Sequence, residues 1–155
     1  MMDNLVYTYE SVNSNRLMNI TDNSSVTEGF KDIVNTSDYG YDVNGNLNKD
    51  LNKGFSSITY NYLHLPYAIT KDANNSITYV YDAVGKKLKQ VTKNAGIITS
   101  RYYTGSIEYD NSKNLSLIQM DEGMVTKISG TYAYEYFLKD HLGNTRVIFK
   151  PGAVL

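Results

Sequence analysis

Tyr41-Asp42-Val43-Asn44-Gly45-Asn46-Leu47 returns further along the chain as Tyr81-Asp82-Ala83-Val84-Gly85-Lys86-Lys87-Leu88. A repeated unit of this kind decides the fold, because each copy is one supersecondary element. Its parts have mechanical roles. A strand brings Tyr onto one face. Asp takes the first position of a type I turn, where its carboxylate accepts from the backbone amide two residues on. Gly three residues later suits the left-handed position that closes a hairpin with a bulge. Leu47 and Leu88 are expected to open the return strands and pack inward. Replacing Gly45 or Gly85 by Val should cost about 1–2 kcal/mol from left-handed strain.

Weaker copies flank these two. Tyr109-Asp110-Asn111-Ser112-Lys113-Asn114-Leu115 keeps Tyr-Asp and Leu but has no Gly. Tyr9-Glu10-Ser11-Val12-Asn13-Ser14-Asn15-Arg16-Leu17 carries Glu for Asp and Asn for Gly. Asp140-His141-Leu142-Gly143-Asn144-Thr145-Arg146 keeps Asp-x-x-Gly-Asn. Tyr41, Tyr62, Tyr81 and Tyr103 read as successive anchors, 21, 19 and 22 residues apart. Period-2 alternation predicts strands over Ser57–Leu63, Ser76–Tyr81, Thr131–Phe137 and Thr145–Phe149.

The composition points the same way. The 155 residues include 15 Tyr and 17 Asn, against 2 Pro and no Trp. Tyr, Thr, Ile and Val suit a pleated, half-buried surface, while Asn and Gly suit tight turns. Ala is scarce and no long stretch keeps a helical apolar period. The fold class is therefore all-β: an antiparallel meander of hairpins forming a curved open sheet or part of a β-shell. The length fits one continuous β domain over residues 38–155, preceded by divergent strands and a loop over 1–37. Ser24–Asn35 reads as a loop or a short helical turn.

Several functions are excluded by residue type. Lys+Arg number 15 against 16 Asp+Glu, a net charge of -1. Nucleic acid and anionic membrane surfaces select for clustered cations, so neither is expected as a partner. Without Cys there is no disulfide, thiolate metal site or Cys nucleophile. His64 and His141 are too few for a multi-histidine metal centre. No apolar run approaches the roughly 18 residues of a spanning helix. Met1-Met2-Asp3-Asn4 lacks the blocks of a signal peptide. No catalytic residue, cofactor or metal is expected.

Asp42 to Asp50 alternates oxygen side chains as calcium loops do. Its Gly falls at position 4 instead of 6, however, and Lys53 stands where a bidentate Glu belongs, so it reads as a hairpin. Asp140 and His141 read as neighbours on a strand, which point to opposite faces, so their adjacency argues against a dyad. His64 reads as a strand end. No Ser lies in a Gly-x-Ser-x-Gly setting. Gly54, Gly85 and Gly96 read as isolated turn glycines with no phosphate cradle. Lys86, Lys87 and Lys89 read as a solvated sheet edge that blocks pairing. The glycosylation triplets Asn19-Ile20-Thr21 and Asn35-Thr36-Ser37 are expected by chance in so Asn-rich a chain.

These residues resemble the YD-repeat, or Rhs-repeat, family. Tyr41–Leu47 and Tyr81–Leu88 look like its Tyr-Asp-x-x-Gly-x-Leu unit. Tyr136–Val147, with Asp140, Gly143, Asn144 and Arg146, looks like the opening of the Rhs-associated core in the spelling of Bacteroidetes-type members. The resemblance spans about residues 38–150. It implies long antiparallel strands spiralling into a β-shell around a C-terminal toxin or effector, in exported or surface-associated proteins of bacterial competition. Against that pattern the chain is too short to close a shell. It also stops at Pro151-Gly152-Ala153-Val154-Leu155, ahead of the family's later core segment, so aspartyl self-cleavage transfers to no residue. The expected function is structural, a truncated shell segment without catalysis that pairs with other shell segments and helps enclose cargo. Open edges imply a homo-oligomer through sheet edges or Tyr-rich faces. The alternative is a carbohydrate- or protein-binding β-repeat module at the cell surface, with rows of Tyr stacking on sugar rings.

Overall fold

In a computed structural model, described over residues 2–25, 28–33, 37–128 and 130–150, every regular element is a strand and no helix occurs. Most of the Asn35-Thr36-Ser37 triplet, part of the Ser24–Asn35 stretch and Pro151–Leu155 lie outside the described residues. β1 (Leu5–Tyr9) pairs antiparallel with β2 (Leu17–Asp22), and β3 (Tyr39–Tyr41) with β4 (Leu47–Asp50). Ten strands then follow in one open antiparallel meander: β5 (Ser57–Tyr60), β6 (Pro66–Asp72), β7 (Asn75–Tyr81), β8 (Lys87–Asn94), β9 (Ile97–Thr104), β10 (Ile107–Tyr109), β11 (Leu115–Met120), β12 (Gly123–Ile128), β13 (Thr131–Lys139) and β14 (Thr145–Phe149). Sequence order is also ladder order, because short connections join only antiparallel neighbours.

The chain divides into two compact units, residues 1–79 with 92–98 and residues 80–91 with 99–155. Among the described residues of the first, Ile20 and Ile58 are the buried apolar side chains, and two carboxylates, Asp38 and Asp50, are also buried. Asp38 is fully buried. Its Oδ2 accepts from the Ile20 amide at 2.9 Å. Its own N–H donates to Met18 O at 2.9 Å, and its carbonyl accepts from Leu51 N at 2.8 Å. One residue thus fastens the β3–β4 hairpin to β2. Asp50 exchanges both backbone bonds with Phe55, at 3.0 and 2.7 Å, while its Oδ1 accepts from Lys53 N at 3.1 Å.

The second unit is held by its backbone ladder. Among its described residues no apolar side chain is buried. Glu135 is buried; its Oε1 accepts from the Thr126 hydroxyl at 3.2 Å and pairs with Lys150 Nζ at 3.1 Å. Gly123 sits where a Cβ would fall 2.1 Å from Glu135 O, so backbone crowding requires Gly there. Residues opposite one another across an antiparallel ladder share a face. The register Tyr134↔Val125, Tyr136↔Phe149 and Leu138↔Val147 therefore gathers Tyr132, Tyr134, Tyr136, Leu138, Val147 and Phe149 on one side.

Four expectations need correction. The strand predicted over Ser57–Leu63 ends at Tyr60, because Asn61 to His64 form a turn. Tyr62, predicted as an anchor, is 75% exposed there, and Tyr60 holds the anchor position instead. The Lys86, Lys87 and Lys89 run is not a sheet edge, since β8 lies between β7 and β9. Lys87 Nζ stands 4.4 Å from the Tyr103 ring centroid and Lys89 Nζ 5.1 Å from that of Tyr102, a cation–π arrangement that lets lysines occupy an inner strand. Leu88 does not pack inward and is 39% exposed. The corner has the same length in both copies, so Lys87 takes the place Leu47 has, and Leu88 turns to the opposite face.

Candidate functional site: the corner ladder and the cleft beside it

Five corners among the described residues share one hydrogen-bond scheme, beginning at Asp42, Asn61, Asp82, Asp110 and Asp140. The first residue's N–H donates to the carbonyl four residues on at 2.9–3.0 Å, and its carbonyl accepts from the amide three residues on at 2.9–3.1 Å. Its side-chain Oδ1 accepts from the amides two and four residues on at 2.8–3.0 Å. The fourth residue is left-handed in every case: Gly45 at φ 84°, His64 at 58°, Gly85 at 87°, Lys113 at 62° and Gly143 at 85°. Backbone donors at a corner would otherwise lack partners, and the Asx side chain supplies them.

Tyrosines tie successive hairpins. The Tyr41 hydroxyl donates to Leu17 O at 3.0 Å and the Tyr60 hydroxyl to Leu47 O at 2.7 Å. Each Tyr immediately precedes a corner, and each acceptor is the residue after the corner before it. Burial raises both phenols above their ordinary pKa; Asp42 adds to the rise at Tyr60.

The repeat residues do not converge on one site. Tyr41, Asp42, Gly45 and Leu47 build a corner of the first unit; Tyr81, Asp82, Gly85 and Leu88, and separately Asp140, Gly143, Asn144 and Arg146, build corners of the second. Asp140 and His141 both lie within a turn, so strand alternation does not govern them. The Asp140 carboxylate is engaged in its corner, by Asn144 Nδ2 at 3.2 Å and by Arg146 at 2.8 Å. The side-chain bond from Asn144 leads the effects that hold its pKa below the ordinary carboxylate value. Asp42 is lowered in the same way, first by Asn46. Acceptors so engaged stabilise turns and are poor general bases. Among the described residues no group of three or more His, Cys, Asp or Glu side chains is placed to hold a metal.

Beside the first two of these corners lies a cleft of about 570 Å³, lined by Asp42, Asn46, Asn48, Thr59, His64 and Tyr67 among others. Asn46 Nδ2 bridges the two corners, 2.9 Å from Asp42 Oδ2 and 3.2 Å from His64 Nδ1. Neither this cleft nor the His64 corner is visible as a motif. The signal for the corner was Tyr60-Asn61 followed three residues later by His, since Asn and His are among the side chains that tolerate left-handed backbone.

The fold and site define an all-β antiparallel repeat protein. The chain matches no protein-family model, and no curated protein is significantly similar to it.

Proposed function

We propose that the chain is a structural segment of a YD-repeat wall, working by strand pairing and enclosure and without catalysis. The single observation that carries this reading is the five-fold recurrence of one corner, with the Asx side chain spent on its own backbone each time. Residues committed to geometry in every copy serve shape. The Tyr41 and Tyr60 ties add the repeat-to-repeat fastening that a continuous wall needs. Its partners are further wall segments, copies of itself and an enclosed cargo.

Co-expression with the products of the flanking reading frames tests this. The reading expects a neighbouring product to co-purify and to resist proteinase K while bound. A neighbour that never associates, or is digested at its free rate, contradicts it.

A second reading, a carbohydrate-binding module, rests on the cleft. Its lining offers amides and hydroxyls, the Asp42 carboxylate, the His64 ring and the 45% exposed Tyr67 ring, and no Lys or Arg. Such a surface suits uncharged hydroxylated ligands. Titration with neutral trisaccharides, followed by amide shifts of Asn46 and Asn48, tests it; unmoved shifts remove it.

A further inference from the structure

Among the described residues, no second layer of the kind a sheet ordinarily packs against covers the second unit's aromatic face. Tyr132, Tyr134, Tyr136 and Phe149 are 37–49% exposed, and Leu138 and Val147 are 50–55% exposed. Tyr134 stacks on Tyr136 at 5.9 Å and Tyr136 on Phe149 at 5.3 Å, so the face is a ready-made row of rings. We propose that a second copy of this chain covers it, the two faces packing about a two-fold axis with β12 antiparallel to its mate. This goes beyond the wall reading by naming the face and its occupant.

Three observations favour a copy over another partner. The first is area. At roughly 200 Å² per aromatic ring, the exposed parts of these six side chains amount to about 500 Å². Half-buried Ile118 and Val125 extend the same face toward the roughly 800 Å² per partner of a standard interface. The second is relief. A hollow of about 320 Å³ opens between Met120, Tyr134 and Tyr136, into which a ring from the facing copy fits.

The third is charge. Asp121 and Glu122 line the hollow at one end of β12, and Lys127 shares the face at the other end, opposite Tyr132. The two ends are about 17 Å apart along the strand. An antiparallel two-fold sets each copy's Lys127 over the other's Asp121 and Glu122, so the face is complementary to itself.

Sedimentation over a concentration series tests this on the full chain. The expected result is a dimer with a dissociation constant on the order of micromolar. Tyr134→Glu should weaken it about 100-fold or more, as a charge buried at the centre of an apolar interface does. Lys127→Glu alone should weaken it, and Lys127→Glu combined with Glu122→Lys should restore it, with circular dichroism unchanged throughout. A chain that stays monomeric at about 0.5 mM, far above that constant, overturns the proposal. A dimer indifferent to Tyr134→Glu also overturns it, placing the contact elsewhere, such as the β14 edge. Failure of the double variant to restore binding overturns the two-fold arrangement. None of these outcomes bears on co-purification of a neighbouring product, so the enclosure of cargo in the wall reading is tested separately.

Discussion

The two units secure their strands by different means. In the first, three separate ladders begin the chain, and beside the backbone bonds of Asp38 and of the Asp50–Phe55 bridge they are joined by side chains: the buried Asp38 carboxylate on the Ile20 amide, and the Tyr41 and Tyr60 hydroxyls on the carbonyls of Leu17 and Leu47. In the second, β9 to β14 pair edge to edge without interruption, and no apolar side chain among the described residues is buried. A ladder needs only backbone, so the described part of the second unit forms strands without a buried apolar core and its apolar side chains stay partly exposed. Hairpins that do not share a ladder need polar keystones, and those have to be buried to hold. The same corner chemistry serves both units, which locates the difference in what lies between the corners.

Substitutions can break this contrast. The largest effect is expected at Gly123→Ala. The new methyl would meet Glu135 O, which is backbone and cannot swing aside, so β12 and β13 must part. A loss of about 3 kcal/mol or more is expected, in the range reserved for backbone clashes and broken networks, and is read from urea melts. Hydrogen exchange should show the loss concentrated in the second unit. Asp38→Ala comes next, leaving the buried Ile20 amide without its acceptor at about 2–3 kcal/mol. Here exchange should rise in the first unit, with the amides of β12 and β13 unchanged. Equal loosening of both units in either variant would dissolve the distinction.

Smaller effects sharpen it. Lys113 holds φ 62° at a corner where three of the five copies have Gly, so Lys113→Gly should stabilise by about 1 kcal/mol, visible as a raised midpoint in the same melts. The gentlest probe is acid. Asp42, Asp110 and Asp140 are held below the ordinary carboxylate pKa, Asp42 and Asp140 chiefly by side-chain bonds from Asn46 and Asn144, and Asp110 chiefly by the Asn114 amide. A lowered folded-state pKa adds stability that is fully present above the unfolded value and disappears as pH falls through the folded one. The thermal midpoint should therefore hold from neutral pH down to the ordinary carboxylate range and fall only below it. A midpoint rising on acidification would contradict the corner scheme.

Much of the strand architecture was legible in the sequence because the corners are local. An Asp and a residue three positions later decide each one, and the alternation of Thr131–Phe137 or Thr145–Phe149 needs no knowledge of the rest of the chain. Where reading failed, two residue types were doing the same job. Asn61 substitutes for Asp and His64 for Gly, which hid a corner inside an apparent strand. The Tyr81–Leu88 copy is one residue longer than Tyr41–Leu47, but the turn is fixed and the extra residue instead moves Leu88 to the other face. Asp38 was not foreseen, because its burial depends on Met18, Ile20 and Leu51, residues far from it in the chain. The polar cleft escaped for the same reason: its walls come from β4, β5, β6 and two corners that only folding brings together.

The central claim is that the corners are one structure repeated. Amide hydrogen exchange, followed residue by residue by nuclear magnetic resonance, tests it most directly at the position each Asx side chain holds: Asn46, Leu65, Lys86, Asn114 and Asn144. All five should exchange slowly, as a group, while the neighbouring tip amides of Val43, Asn111 and His141 exchange fast. Protection confined to the three corners with Gly, or exchange at free-peptide rates at Leu65 and Asn114, would contradict it.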